Sequence, residues 1–273
     1  MLGACNKANP AEYFVEEDGK LVKRDVTDRV LESCRRWELD AVVVIGGDGT
    51  MAGADGLIRH GLKIVGVPKT IDADLPETDT TFGHDTAVAT ATDALDKVHT
   101  TASSHHRVMV VEIMGRYAGW LALRAGLASG ADVILIPEIP FKMDVVARRC
   151  LERSVHGKRF TIIAAGEGAK PIGGKQFVDH VDETSPDPIR LGGVAKYVAD
   201  EIEETGLESR HIVLGHVQRG GGALQVGALA PRRLQQVEVR LRHRRSEHQA
   251  GKSRSAAYVD DALQCAKAVH FQC

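Results

Sequence analysis

An α/β fold with mainly parallel sheets is predicted by two observations: short apolar runs alternate with helix-length stretches, and charged or glycine-rich segments recur where those runs end. A third is size. A chain of 273 residues with 43% hydrophobic content fills one large or two modest domains.

The elements follow in order. A helix is expected over Val26–Trp37, with Thr27 as its cap and Val30, Leu31 and Cys34 at helical spacing. Val42–Ile45 is a continuous apolar run suited to a strand buried on both faces, followed by a turn, "GGDGT", and a helix over Met51–His60. In that turn the glycines permit close approach to a ligand, Asp48 should project beyond the strand end, and the helix N–H groups favour an anion. Lys63–Val67 reads as a strand stopped by Pro68, and Phe82–His99 as a helix. Further buried strands are expected at Arg107–Ile113, Val133–Ile136, Phe160–Ala165 and His211–Leu214. Gly119–Ser129, Asp144–His156 and Gly192–Thr205 should be the helices between them. The Gly-, Pro- and Asp-rich stretch 170–190 reads as a surface loop, and the periodic pattern ends after Gly222.

Composition narrows the function. Aromatic residues make up 4% of the chain, which argues against a stacking platform for nucleic acid. Five cysteines without CxxC spacing or a secretory leader read as reduced thiols of a cytoplasmic protein, and no apolar run approaches the roughly 18 residues of a membrane span. Residues 223–273 hold nine Lys or Arg against four Asp or Glu, a surplus of +5 that leaves −7 on the rest.

In parallel sheets ligands sit beyond the carboxyl ends of the strands, where "GGDGT", "PKTIDADL", "MGRYAG", "GEGA" and "HVQRGG" all fall, so one shared cleft is expected. Asp72, Asp74 and Asp79, with Lys69 beside them, suit either proton abstraction from a hydroxyl or a shared divalent cation; the alternative is a solvated acidic loop. Arg116 between glycines can meet a phosphate through two N–H groups or lie on the surface of a turn. Glu167 can accept sugar hydroxyls or be an ordinary exposed glutamate, and His216, Gln218 and Arg219 gather an imidazole, an amide and a guanidinium at one strand end. There is no GxxxxGK motif followed by Ser or Thr, and no HExxH.

Taken in order, "GGDGT", "PKTIDADL", "SSHHRVMVVEIMGRYAGWLAL", "GEG" and "RHIVLGHVQRGG" closely resemble the 6-phosphofructokinase family across roughly residues 1–222. The resemblance implies a phosphofructokinase-like fold of two subdomains, each a three-layer α/β/α sandwich. Residues 1–84 would form a partial donor-binding lobe, 85–222 a sugar-phosphate-binding lobe, and 223–273 an aberrant, poorly ordered basic tail. It implies phosphoryl transfer from ATP to the 1-hydroxyl of fructose 6-phosphate, the glycolytic step. Asp72 would be the base, with Thr70 beside the transferring group and Arg116 a third catalytic residue. Met114, Gly115, Arg116, Glu167, His216 and Arg219 match sugar-phosphate positions, and Gly47, Asp48, Gly49, Thr50 and Lys69 donor positions. Asp48 would hold Mg²⁺ or its water shell. Arg107 and Arg210 match arginines that reach the sugar phosphate from a neighbouring subunit, implying a homo-oligomer, dimer or tetramer. Pyrophosphate users resemble the chain at Lys69 but usually carry Asp where Gly49 stands, so Gly49 favours ATP and Lys69 favours pyrophosphate. Ala73 replaces a common Asn. A leading strand and phosphate-cradling loop, and a closing helix after "QRGG", have no counterpart, so impaired turnover or a non-catalytic sugar-phosphate-binding fragment is the alternative expectation.

Overall fold

The computed structural model describes residues 9–182 and 187–221, and the expectations for the segment after Gly222 lie outside them. The described residues fall into two units that divide between Val67 and Pro68.

The first unit opens with a 3-10 turn, Pro10–Glu12, and a hairpin of β1 (Tyr13–Glu17) and β2 (Lys20–Arg24). Asp18 and Gly19, both at positive φ, close it, an Asp-Gly turn whose twist matches the strands and which the sequence reading passed over. Helix α1 (Thr27–Arg36) follows, but Thr27 is not its cap: the Thr27 N–H donates to Asp25 Oδ1 at 2.9 Å. Strand β3 (Val42–Gly46) lies beside β4 (Ile64–Thr70), with α2 (Asp48–Arg59) between them in sequence. Val43 and Ile45 remain 57% exposed, so β3 is not buried on both faces; only the face of Val42, Val44 and Gly46 is covered among the described residues. Helix α2 begins at Asp48, three residues before the expected start, because glycines adopt helical backbone here as readily as a turn. Strand β4 runs on past the division, through Pro68 to Thr70, since β5 (Phe82–Gly83) of the second unit pairs only with Lys69 and Thr70 and no ladder bond there needs the missing N–H.

The second unit is a four-stranded, wholly parallel sheet of order β11-β6-β8-β7. In chain order its elements are α3 (His84–His105), β6 (Val108–Ile113), α4 (Trp120–Ala128), β7 (Val133–Leu135), α5 (Met143–Val155) and β8 (Thr161–Gly166). A short hairpin of β9 (Val178–Val181) and β10 (Ile189–Leu191) occupies the stretch expected to be a plain loop. Then come α6 (Val194–Glu203), β11 (Ser209–Val213) and a 3-10 turn, Gly215–Arg219.

Strand periodicity sorts the core into two layers. Met109, Val111 and Ile113 of β6 and Ile162 and Ala164 of β8 pack against α3 and α4. Val108, Val110, Ile163 and Ala165 pack on the other face against α5 and α6. This is the expected three-layer sandwich. Burial of a strand on both faces is why β6 and β8 read as unbroken apolar runs. Cys34 and Cys150 are free thiols, and burial pushes Cys150 up to about 11, which keeps it protonated and inert. No described helix is long and apolar enough to cross a membrane.

Candidate active site

Because β6, β8 and β11 are parallel neighbours, their carboxyl ends deliver three of the singled-out loops to one edge of the second unit's sheet: 114–116, 166–168 and 215–219. Glu167 joins the first two. Its Oε1 accepts the N–H groups of Gly115 at 3.2 Å and Arg116 at 2.8 Å, while its own N–H donates to Ile113 O at 2.8 Å. Arg116 sits at φ 52° and Gly115 at φ 144°, so the bend that turns these two N–H groups together rests on a left-handed arginine. Gly168 closes the contact: a Cβ there would lie 2.1 Å from the Arg116 carbonyl oxygen, so no other residue fits without moving the backbone. Burial raises the Glu167 carboxyl above its ordinary value, the two N–H bonds oppose the rise, and the charges of Asp72 and Glu112 add to it.

Arg116 does not point to open solvent. Its Nη1 pairs with Asp187 Oδ2 at 2.8 Å, each side chain 29% exposed, so a carboxylate occupies the guanidinium that the sequence assigned to a phosphate.

At the end of β4, Thr70 to Asp74 forms a tight turn. Thr70 Oγ1 accepts the Asp72 N–H at 3.2 Å and donates to Asp74 Oδ1 at 3.4 Å, and Ala73 takes positive φ, 54°. Asp72 is buried, at 8% exposure, whereas Lys69 and Asp79 are exposed. The three aspartates are therefore not one acidic patch: among the described residues no group of three or more His, Cys, Asp or Glu could hold a metal ion.

In the 3-10 turn after β11, His216 and Arg219 are exposed and Gln218 is buried, donating through Nε2 to Gly215 O at 3.4 Å. Thr90 of α3 donates to Gly220 O at 3.3 Å and anchors the turn's end. Arg107 and Arg210 lie elsewhere. Arg107 precedes β6 and Arg210 is the second residue of β11, so both stand at the amino-terminal edge of the sheet. Arg107 pairs with Glu208 at 2.7 Å, and Arg210 with Glu203 at 2.8 Å and Glu208 at 3.1 Å. A strand's length, on the order of 20 Å, separates them from the loops at the other edge.

Two functional-site neighbours escaped the sequence reading. Glu112, buried within β6, accepts the N–H groups of Gly193 and Ala195 on Oε2, each at 3.0 Å, and caps α6. A carboxylate inside an apolar run signals a buried, paired group, and "VVEIMGR" contains that signal. His84 at the start of α3 gives no such sign.

In the first unit Asp48, Gly49 and Thr50 form the exposed first turn of α2, with Gly47 as cap. A Cβ on Gly46 would meet Thr50 Oγ1 at 2.3 Å, whereas one on Gly49 would meet nothing within 4 Å. The amino end of α2 thus offers N–H groups and one carboxylate, a setting for phosphate oxygens and a hydrated cation.

The family profile described as phosphofructokinase matches residues 9–239. ATP-dependent 6-phosphofructokinase 2 of Clostridium perfringens is 52% identical over 226 residues, which is 81% of this chain and 61% of that protein. Pyrophosphate–fructose 6-phosphate 1-phosphotransferase of Amycolatopsis mediterranei is 50% identical over 217 residues, 79% of this chain and 60% of its own length. The structure of phosphofructokinase from Saccharomyces cerevisiae aligns with TM-score 0.59 and 33% identity, covering 74% of this chain and 30% of that one. The chain thus spans about three-fifths of the curated relatives' length.

Proposed function

From the premise that the chain belongs to the phosphofructokinase family, we propose that it transfers a phosphoryl group to the 1-hydroxyl of fructose 6-phosphate, giving the 1,6-bisphosphate. The observation that carries this reading is the loop cluster of the second unit: Glu167 locked to Gly115 and Arg116, the turn that follows β11 on the other side of β6, and a buried Asp72 whose charge reaches Glu167. In this reading Asp72 takes the proton of the attacking hydroxyl. Glu167, with Oε1 committed to two N–H groups, orients sugar hydroxyls through Oε2. Arg116 and Arg219 supply positive charge to phosphate oxygens, His216 offers a ring nitrogen for hydrogen bonding to the sugar phosphate, and Thr70 fixes the turn that presents Asp72. Transfer of this kind depends on positioning and on charge around the equatorial oxygens more than on covalent help.

The donor's share falls to the first unit. The exposed N–H groups of α2 suit phosphate, and Asp48 is a single carboxylate of the kind that binds Mg²⁺ together with water and donor phosphates. Magnesium, when bound, neutralises charge on the transferring group. Gly49 favours ATP. Pyrophosphate is the second reading, supported by Lys69 and by the 50% identity to a pyrophosphate-named relative. Arg107 and Arg210, at the far edge of their own sheet, would serve a second copy's sugar phosphate in a homo-oligomer of cytoplasmic, glycolytic function; a sugar-phosphate-binding role without turnover is the alternative.

The test supplies fructose 6-phosphate and Mg²⁺ with ATP or pyrophosphate and follows the bisphosphate. Asp72→Asn should lower the rate about 10²- to 10⁴-fold with sugar-phosphate affinity nearly unchanged. Full turnover in that variant removes Asp72 as the base. Binding without turnover in the wild type selects the non-catalytic alternative.

A further inference from the structure

A buried histidine lies directly behind the Asp72 turn. His84, 2% exposed, places Nδ1 at 2.6 Å from the carbonyl oxygen of Ile71, the residue before Asp72. A carbonyl only accepts, so Nδ1 carries the proton and Nε2 is left as a bare acceptor. Nε2 is buried and has no hydrogen-bond partner among the described residues. Such an acceptor carries a desolvation cost that a phenylalanine of similar size would avoid. The other ring nitrogen has a contact that could offset this cost. The turn contains Ala73 in left-handed backbone, which a residue with a Cβ adopts under strain, so a carbonyl fixed next to Asp72 opposes relaxation of that strain.

We propose that His84 is a positioning residue for Asp72, its Nδ1–H holding the Ile71 carbonyl so that the Thr70–Asp74 turn keeps the geometry in which Asp72 meets the acceptor hydroxyl. The backbone supports the same link, since Thr70 at the end of β4 pairs with Gly83, the residue before His84. The His84 ring therefore staples the end of β4 to the start of α3. The ring is held neutral: burial lowers its pKa despite the carbonyl bond, with Arg124 of α4 lowering it further and Asp85 of α3 opposing. Asp72 and Asp74 are the acidic groups of the turn it holds. The catalytic part of this inference rests on the proposed role of Asp72; the structural part does not.

The test pairs His84→Phe, which fills the space without a donor, with His84→Asn, whose side-chain amide can donate from nearly the position of Nδ1. Backbone amide exchange at Asp72 and Asp74 should accelerate about tenfold or more in the Phe variant and stay near wild type in the Asn variant. Under saturating substrates kcat should fall about 10- to 100-fold in His84→Phe, with KM for fructose 6-phosphate within about twofold, and His84→Asn should recover most of it. Unchanged exchange and kcat in His84→Phe overturn the proposal, as does an equal loss in both variants. Nitrogen-15 spectra of histidine-labelled wild-type protein give a further arm that needs no variant to fold: the Nδ1–H tautomer is expected, and an Nε2–H tautomer refutes it. If the wild type transfers no phosphate to fructose 6-phosphate, the functional reading fails while exchange and tautomer still judge the role of His84.

Discussion

Glu167 accepts the Arg116 N–H at 2.8 Å, and this bond, with the one from Gly115, ties the loop after β8 to the loop after β6. The bond uses backbone on one side and a partly buried carboxylate on the other. The geometry of the Arg116 loop is therefore set by Glu167, and the protonation of Glu167 is set by its surroundings.

The first prediction concerns pH. Burial raises the folded-state carboxyl of Glu167 above the ordinary 4.5, so as pH rises the unfolded chain releases this proton first. The contribution of Glu167 to stability is then complete below 4.5 and declines as pH rises through the higher folded-state value. Glu167→Gln keeps an oxygen acceptor for the two N–H groups but cannot ionise. Denaturant unfolding should show variant and wild type alike in acid, with the variant gaining relative stability towards neutrality. Parallel stability curves would contradict the assignment.

A second prediction follows from the Arg116–Asp187 pair. Both side chains are about a third exposed, so the pair contributes under about 1 kcal/mol to folding, yet any phosphate must displace it to reach the guanidinium. Asp187→Asn should tighten fructose 6-phosphate or inorganic phosphate about two- to fivefold by titration calorimetry, with little change in unfolding midpoint. Weaker binding would mean that Asp187 orients Arg116 for the ligand rather than competing with it.

Where residues act through chain order, the sequence disclosed them: alternation of apolar runs and helices gave the second unit's sandwich, and loops at equivalent strand ends gave the three that meet at its edge. What it could not disclose depends on partners distant in sequence. Nothing local marks Asp187 as the partner of Arg116, or His84 as the donor to Ile71, because each pair forms only once separate elements pack. Val43 and Ile45 show the converse error, since an apolar run specifies burial without specifying what covers it. The hairpin of β9 and β10 was hidden by Gly- and Pro-rich flanks that read as loop.

The third prediction addresses Glu112. Its Oε2 accepts two N–H groups at the amino end of α6, which would otherwise be left without acceptors. Glu112→Ala should destabilise the protein by about 2 to 4 kcal/mol, and Glu112→Gln by less, because an amide oxygen still accepts. A shift in urea midpoint worth under about 0.5 kcal/mol for the Ala variant would show that these groups find other partners.

The fourth prediction turns on Gly49. It lies in the first turn of α2, where glycine costs about 1 kcal/mol relative to alanine and where a carboxylate would be favoured by about 0.3 to 1 kcal/mol through the helix dipole. No protein atom excludes a side chain, since a Cβ at Gly49 meets nothing within 4 Å. Folding alone would therefore select almost any other residue, and what glycine leaves open is room for a ligand. Gly49→Asp should raise the unfolding temperature slightly while placing a negative charge where the proposed function puts a nucleotide's phosphates. With ATP as donor, kcat/KM should fall at least about tenfold, the effect of roughly 1.4 kcal/mol of repulsion, whereas pyrophosphate, which has no further groups to accommodate there, should be affected less. A variant that gains stability and uses ATP as well as the wild type would show that the donor does not approach Gly49 at all.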